Sequence, residues 1–186
     1  MPTLSPGTLV PFFACRNETG AIASRNLAIA ASQTIAVGDA IVKTSGAATY
    51  EQALSNPSAG STTAQSGDLE VVGFALEAIA TNASAVDPAQ GNKSKIRVAI
   101  FENGQTGNQF CLPIYNATAA NAEPRDLTLG TAYELVRVRS TSETTGRYYI
   151  NTVSTNGDCT YIETYAGSAE ADDYGAVWFA KDSPAV

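Results

Sequence analysis

The last part of the chain breaks into the runs RYYINTV, CTYIETY and YGAVWFA, parted by STNGD and AGSAEADD. The runs are rich in β-branched and aromatic residues and the breaks in Gly, Asn, Asp and Ser. They recur about every ten residues, which is the spacing of strands and turns. That punctuation constrains the fold more than any other feature, and it predicts an all-β chain of the barrel or sandwich kind.

The same style extends upstream. Ile35 and Val37 alternate with small or polar residues as far as Gly38-Asp39, a turn or kink, and Ala40-Ile41-Val42 resumes as strand. VVGFALEAIA reads as a strand with Val72, Phe74 and Leu76 on one face, and a helix over FALEAIA is the competing reading. Gly73 inside that strand points to a bulge or a close backbone approach. In KIRVAIF, Ile96, Val98 and Ile100 point inward while Lys95 and Arg97 point out. QFCLPIYNA places Phe110, Leu112 and Ile114 on one face, and Pro113 argues for an edge strand. In TAYELVRVR the apolar face switches between Leu135 and Val136, which predicts a bulge.

Two composition breaks divide the chain. ENGQTGN at 102–108 separates two β-rich halves, and LSNPSAGSTTAQSGD at 54–68 reads as a long loop. Prolines 2, 6 and 11 forbid a helix or central strand near the N-terminus. The expected organisation is therefore an extended N-terminal arm over 1–26, a first small β-barrel or sandwich-like domain over 27–104, and a second over 105–186. Leu4, Leu9, Val10, Phe12 and Phe13 make the arm too apolar to leave in water. It packs either on its own domain or on a neighbouring molecule.

Residue types narrow the chemistry. The chain has no histidine, which removes the commonest general base and the Ser-His-Asp and Cys-His arrangements. It carries no glycine-rich phosphate-binding motif. Cys15, Cys111 and Cys159 are widely spaced and form no C-x-x-C, so reduced, partly buried thiols are expected rather than a zinc or redox pair. GSAEADDYG is the best oxygen cluster for calcium, yet it lacks the alternating acid spacing of a loop site and reads as a solvated acidic turn. A net charge of −7 argues against nucleic acid. Lys93, Lys95 and Arg97, the densest basic residues, read as a solvated face. Neither a leader segment nor an apolar membrane span is visible, so synthesis in a cytoplasm is expected. The tyrosines at 148, 149, 161, 165 and 174 are read as cross-strand packing or, alternatively, as a carbohydrate-binding face. Trp178, the one tryptophan, is read as core. No catalytic residue, metal ligand or cofactor site is assigned.

The order TIAVGDAIV, VVGFALEAIA, KIRVAIF resembles the β-rich head decoration, or cement, proteins of tailed bacteriophages. LGTAYELVRVRSTSETTGRYYINTVSTNGDC followed by DDYGAVWFA is similar to second β-domains found in some of them. The likeness covers most of 27–182, whereas the loop at 54–68 and the arm carry no matching pattern. The resemblance implies a structural virion protein on the capsid exterior, often a homotrimer, that braces adjacent major capsid protein subunits without direct nucleic-acid or membrane contact. In that setting the arm becomes the clamp. Leu4, Leu9, Val10, Phe12 and Phe13 are then its anchors, and Arg16 and Arg25 pair with carboxylates of the shell. A carbohydrate-binding or adhesive module of a tail or fibre is the alternative.

Overall fold

The computed structural model describes residues 14–18, 20–44, 47–53, 63–64, 71–101, 107–116, 123–138, 147–153, 159–166 and 175–181. Fourteen strands fall within them: β1 (Ala14–Asn17), β2 (Ser24–Ala28), β3 (Thr34–Ile35), β4 (Ala40–Lys43), β5 (Tyr50–Gln52), β6 (Thr63–Ala64), β7 (Val71–Ala75), β8 (Ile79–Ala80), β9 (Lys95–Ile100), β10 (Asn108–Tyr115), β11 (Ala132–Val138), β12 (Arg147–Asn151), β13 (Cys159–Thr164) and β14 (Ala176–Lys181). The chain is all-β, as its punctuation requires. FALEAIA is strand, turn and short strand, not helix.

Five strands form the first sheet in the order β2-β9-β7-β4-β5. Ile29, just beyond β2, bridges back to Tyr50 of β5, and the Ala30 N–H donates to the Tyr50 carbonyl at 2.8 Å. The sheet thereby closes into a small barrel. Leu27, Ile29, Ile41, Val72, Ala75, Ile96 and Val98 fill it, joined by Ile35 and Ile79 of the β3–β8 ribbon. The turn between β3 and β4 needs glycine, because Gly38 sits at φ 87° in the left-handed region. Its N–H donates to the Ala75 carbonyl. Buried Asp39 then holds the turn by accepting from the Ala36 N–H at 2.7 Å and from the Gln52 amide at 2.6 Å.

The second sheet also closes. Its path runs β10-β12-β11-β13-β14, and β14 pairs again with β10. The alternating residues Phe110, Leu112 and Ile114, with Tyr133, Leu135, Tyr148, Ile150, Cys159, Tyr161, Val177 and Phe179, line its interior. Two strands from the first half of the sequence are added outside it. β1 lies antiparallel on β10, and β6 lies antiparallel on β11. Two stretches are thus more ordered than their composition suggests. The arm expected over 1–26 contains β1 and the start of β2, and the loop expected over 54–68 contains β6. The remainder of those stretches, with Leu4, Leu9, Val10, Phe12 and Phe13, lies outside the described residues.

Three local expectations fail, each for a tertiary reason. Val72, Phe74 and Leu76 do not share one face. Ile41 pairs with Gly73 but Val42 pairs with Val71, so Val72 is an extra residue in β7. Val72 turns into the first barrel, whereas Val71 and Phe74 turn out of it. Pro113 does not mark an edge, for β10 has partners on both sides. The Ile114 N–H donates toward β14, at the Gly175 carbonyl, so the missing N–H of Pro113 falls on the opposite side. There the β1 pairing has ended at Cys111 and the β12 pairing begins at Ile114, so no ladder bond is lost. β11 carries no bulge against β12, since Glu134 to Val138 pair in continuous register. Instead its other side passes from β13 at Ala132–Tyr133 to β6 at Arg137–Val138. The bulge of this barrel lies in β13, between Tyr161 and Glu163.

The barrels share one hydrophobic cluster. Ala40, Val42, Ala53, Val71, Phe74, Ala99 and Phe101 come from the first half and join the interior of the second barrel. Phe74, 0% exposed, stands with its ring centroid 4.9 Å from Phe110, 6.2 Å from Phe179 and 6.5 Å from Tyr148. Those three rings belong to β10, β14 and β12, so Phe74 plugs one end of the second barrel. The Tyr148 hydroxyl donates to the Ala53 carbonyl at 2.9 Å across the same junction. Gly73, beside the plug, has no room for a side chain: a Cβ there would meet the Ala99 carbonyl oxygen at 2.0 Å.

Candidate partner-binding surfaces

β1 presents the first candidate surface. Its residues pair with β10 in the register Ala14↔Cys111, Cys15↔Phe110, Arg16↔Gln109, Asn17↔Asn108. Because Phe110 faces the barrel interior, Cys111 and Gln109 face outward, and Arg16 stands beside Gln109 on that outer face. Arg16 Nε donates to Gln109 Oε1 at 2.7 Å, and Nη2 meets Glu163 Oε1 at 2.5 Å. The guanidinium also lies 4.2 Å from the centroid of the Trp178 ring. Gln109 in turn donates to Glu18 Oε1 at 2.8 Å, and Glu18 lies 3.9 Å from Arg16. Arg16 is therefore occupied within its own chain. Its planar, always charged head can serve a carboxylate, an amide and an aromatic face at once, which an ammonium could not.

Beneath that network Cys111, Ala176 and Trp178 form a small outer cluster, with Ala14, Ile162 and Tyr165 packed against it. Trp178 is thus buried, but on the outside of the barrel rather than in its core. Tyr148, Tyr149 and Tyr161 are buried in the shared core, which removes them from any exposed aromatic platform. Tyr165 leans on Trp178 with ring centroids 6.4 Å apart, and Tyr174 lies outside the described residues.

A second network fixes the loop between β1 and β2. The side-chain carbonyl of Asn108, 1% exposed, accepts from Asn17 Nδ2 at 3.1 Å and from the Ala23 N–H at 3.0 Å. Its amide donates to the carbonyls of Ala23 at 2.7 Å and Ile100 at 2.8 Å. This residue uses its full hydrogen-bonding capacity to join both barrels, so its role is structural.

The β2–β9 ribbon of the first barrel is the second candidate surface. Lys95 and Arg97 are exposed and alternate with buried Ile96 and Val98, so both face out of the barrel. Opposite them on β2 stand Ala28 and Asn26, whereas Arg25 pairs with inward-facing Val98, so it lies on the other face of the ribbon, where it is exposed. Lys93 ends the series, with its ammonium 2.7 Å from Glu77. That hydrogen bond, followed by the one from the Arg97 N–H, holds the Glu77 carboxyl below the usual range.

None of the three cysteines is in a disulfide. Burial pushes Cys15 and Cys111 up to about 12, and Cys159, fully enclosed, higher still. Neutral thiols of this kind are poor nucleophiles and poor metal ligands. Asp87 is buried and held below the usual carboxylate range, first by the Ala80 N–H and then by the Ala89 N–H and the Gln90 amide. Among the described residues no group of His, Cys, Asp and Glu is placed to hold a metal ion. The acidic loop GSAEADDYG lies outside them apart from its last glycine.

Of the residues assigned to partner binding, Arg16 and Arg25 are therefore described; one is committed internally and the other is open to solvent. The sequence reading took Lys95 and Arg97 as part of a solvated face, and both are exposed on β9. The fold defines an all-β protein built on two closed five-stranded barrels. Comparison with known protein families, curated proteins and solved structures finds no match.

Proposed function

We propose that this protein is a structural decoration, or cement, protein of a tailed-phage head. In this reading it binds the outside of the shell as a homotrimer and braces neighbouring major capsid protein subunits, with no catalytic step and no cofactor. The observation that carries the reading is the mounting of β1. The residues proposed as the clamp, Leu4 to Phe13, join the body directly at a strand tied to β10 over its whole length and pinned by Arg16 to Glu163 and Trp178. A clamp transmits force only if its root is fixed. The two barrels behind that root share one core, which suits a load-bearing body. Repeated weak contacts over a symmetric lattice would then add up to firm attachment.

The test removes the clamp and keeps its root. Deleting residues 2–13 spares all of β1. The shortened chain is expected to melt within about 2 °C of the full chain, the shift that a change near 0.5 kcal/mol produces in a protein of this size. It is also expected to lose co-sedimentation with shells stripped of this protein. Unfolding of the shortened chain would make the segment part of its own core. Undiminished binding to shells would refute the clamp. Quantitative mass spectrometry of purified particles tests the wider reading: copy numbers near that of the major shell protein support a lattice protein, and absence from the particle refutes it.

A further inference from the structure

We infer that β2 of the first barrel receives an added strand, and that this strand is residues 7–10 from the arm of a second copy of the chain. The open edge is read from the alternation of hydrogen bonds. The Ile100 N–H donates to the Ala23 carbonyl and the Ile29 N–H to the Ser94 carbonyl, so the odd-numbered residues of this stretch bond to β9. Ser24 and Asn26 therefore turn their N–H and C=O groups the other way. Farther along, that side is used: the Ala30 N–H donates to the Tyr50 carbonyl, where β5 closes the barrel. Before that closure β2 pairs with β9 alone, and Ser24, Arg25 and Asn26 are all exposed. The outward groups of Ser24 and Asn26 have no hydrogen-bond partner among the described residues. Donors and acceptors at strand spacing are the chemistry that an extended peptide satisfies.

The chain holds a segment suited to that edge. Prolines 2, 6 and 11 bar residues 1–13 from a helix or a central strand but not from an edge strand. Between Pro6 and Pro11 lie Gly7, Thr8, Leu9 and Val10, about the length of the open stretch from Ser24 to Asn26. Leu9 and Val10 need cover, and residues 1–13 carry no charged side chain to meet Arg25. Direction selects a second copy. Asn17 and Ala23 are both bonded to Asn108, so β2 starts near the Asn17 end of β1. The arm leaves from the other end, at Ala14, heading away from β2. A copy's own arm would have to double back over β1, whereas a neighbour's arm need not. Pairing of β2 with β2 is disfavoured, because the register that uses Ser24 and Asn26 of both copies sets Arg25 opposite Arg25. Passing each arm to the next copy is a head-to-tail contact, the kind that builds cyclic oligomers. The inference goes beyond the decoration role and needs no shell; Leu4, Phe12 and Phe13 stay outside the exchanged segment.

The experiment uses the full chain and two variants of it. Asn26→Pro removes an outward N–H and spares the ladder to β9. Thr8→Pro/Leu9→Pro changes only the arm and stops its middle from donating to a neighbouring strand. Thermal unfolding by circular dichroism checks that each variant is folded, and the arm variant carries the test if Asn26→Pro does not fold. Self-association is measured by sedimentation equilibrium. A photo-crosslinking phenylalanine analogue at Leu9, in mixtures of isotope-labelled and unlabelled copies, reports which chain the arm touches. Expected is an oligomer for the native chain and self-association about 10-fold weaker in each variant, as the loss of one or two backbone hydrogen bonds implies. Crosslinks from Leu9 should reach β2 and join labelled to unlabelled copies. A monomeric native chain, or self-association unchanged in the arm variant, overturns the exchange. Crosslinks confined to single copies assign the edge to the chain's own arm and overturn it as well. Crosslinks that miss β2 overturn the edge as the receiving site. Exchange seen in a chain that co-sediments with no stripped shell supports this inference and refutes the decoration role.

Discussion

Replacing Phe74 with alanine is the most direct perturbation of this architecture. The ring is fully buried and stands 4.9–6.5 Å, centroid to centroid, from Phe110, Phe101, Phe179 and Tyr148. Withdrawing the phenyl group loses about 2 kcal/mol of transfer free energy. The void adds about 24 cal/mol for each Å³ that fails to collapse, and collapse is limited because the walls are two closed barrels. The edge-on pairs with Phe101, Tyr148 and Phe179 contribute about 0.5–1.5 kcal/mol each beyond area, partly counted already in those terms. The expected cost is about 4 kcal/mol, within the usual span for a buried Phe→Ala change. At this chain length that lowers Tm by about 8–16 °C. Phe74 belongs to the first barrel and plugs the second, so both should lose stability together. The assay is urea unfolding followed by far-ultraviolet circular dichroism for all strands and by fluorescence of Trp178, which reports the second barrel. Coincident transitions shifted by the same amount are expected. A loss under about 1.5 kcal/mol, or a Trp178 transition left in place while the dichroism moves, would refute the shared core.

Three further outcomes follow from particular contacts. Gly73→Ala sets a methyl group against the Ala99 carbonyl, a backbone atom that cannot rotate away. It should cost about 3 kcal/mol or more in chemical denaturation, and normal stability would contradict the register of β7 on β9. Asp87 has a folded-state pKa below its ordinary 3.8, so its contribution is complete above that value and is lost as pH falls through the lower folded value. Glu77 acts in the same direction, through the Lys93 hydrogen bond. Tm should hold from pH 7 to about 5 and fall below pH 4, and Asp87→Asn should flatten that fall. Cys15, Cys111 and Cys159 should resist a thiol reagent at pH 8 in the native state and react fully in denaturant, because burial keeps each of them protonated. Fast labelling of the native protein would contradict their placement.

What the sequence determined by itself was local. Strand-forming runs, the turn at Gly38-Asp39 and the inward rows Phe110-Leu112-Ile114 and Ile96-Val98 follow from side-chain chemistry and a period of two. Those signals survive in any sheet with a dry face. Gly73 was legible as a site of close approach, though not what approaches it. The rest depended on residues far apart in the chain. Pro113 signals an edge only if its missing N–H would face a partner, and that turned on where β1 stops and β12 starts. Val72 and Phe74 read as one face until pairing with β4 inserted an extra residue between the faces. No local pattern places β1 and β6 on the second barrel, because a strand's composition says that it pairs and not with what. The candidate surfaces divide in the same way. Arg16 and Arg25 look alike as isolated cations near an apolar arm. Only the tertiary structure brought Glu163, 147 residues from Arg16, to one of them and left the other opposite Val98 with its side chain exposed. Long-range pairing, whose register is set by backbone hydrogen bonds and core volume, decided which charges remain available to a partner.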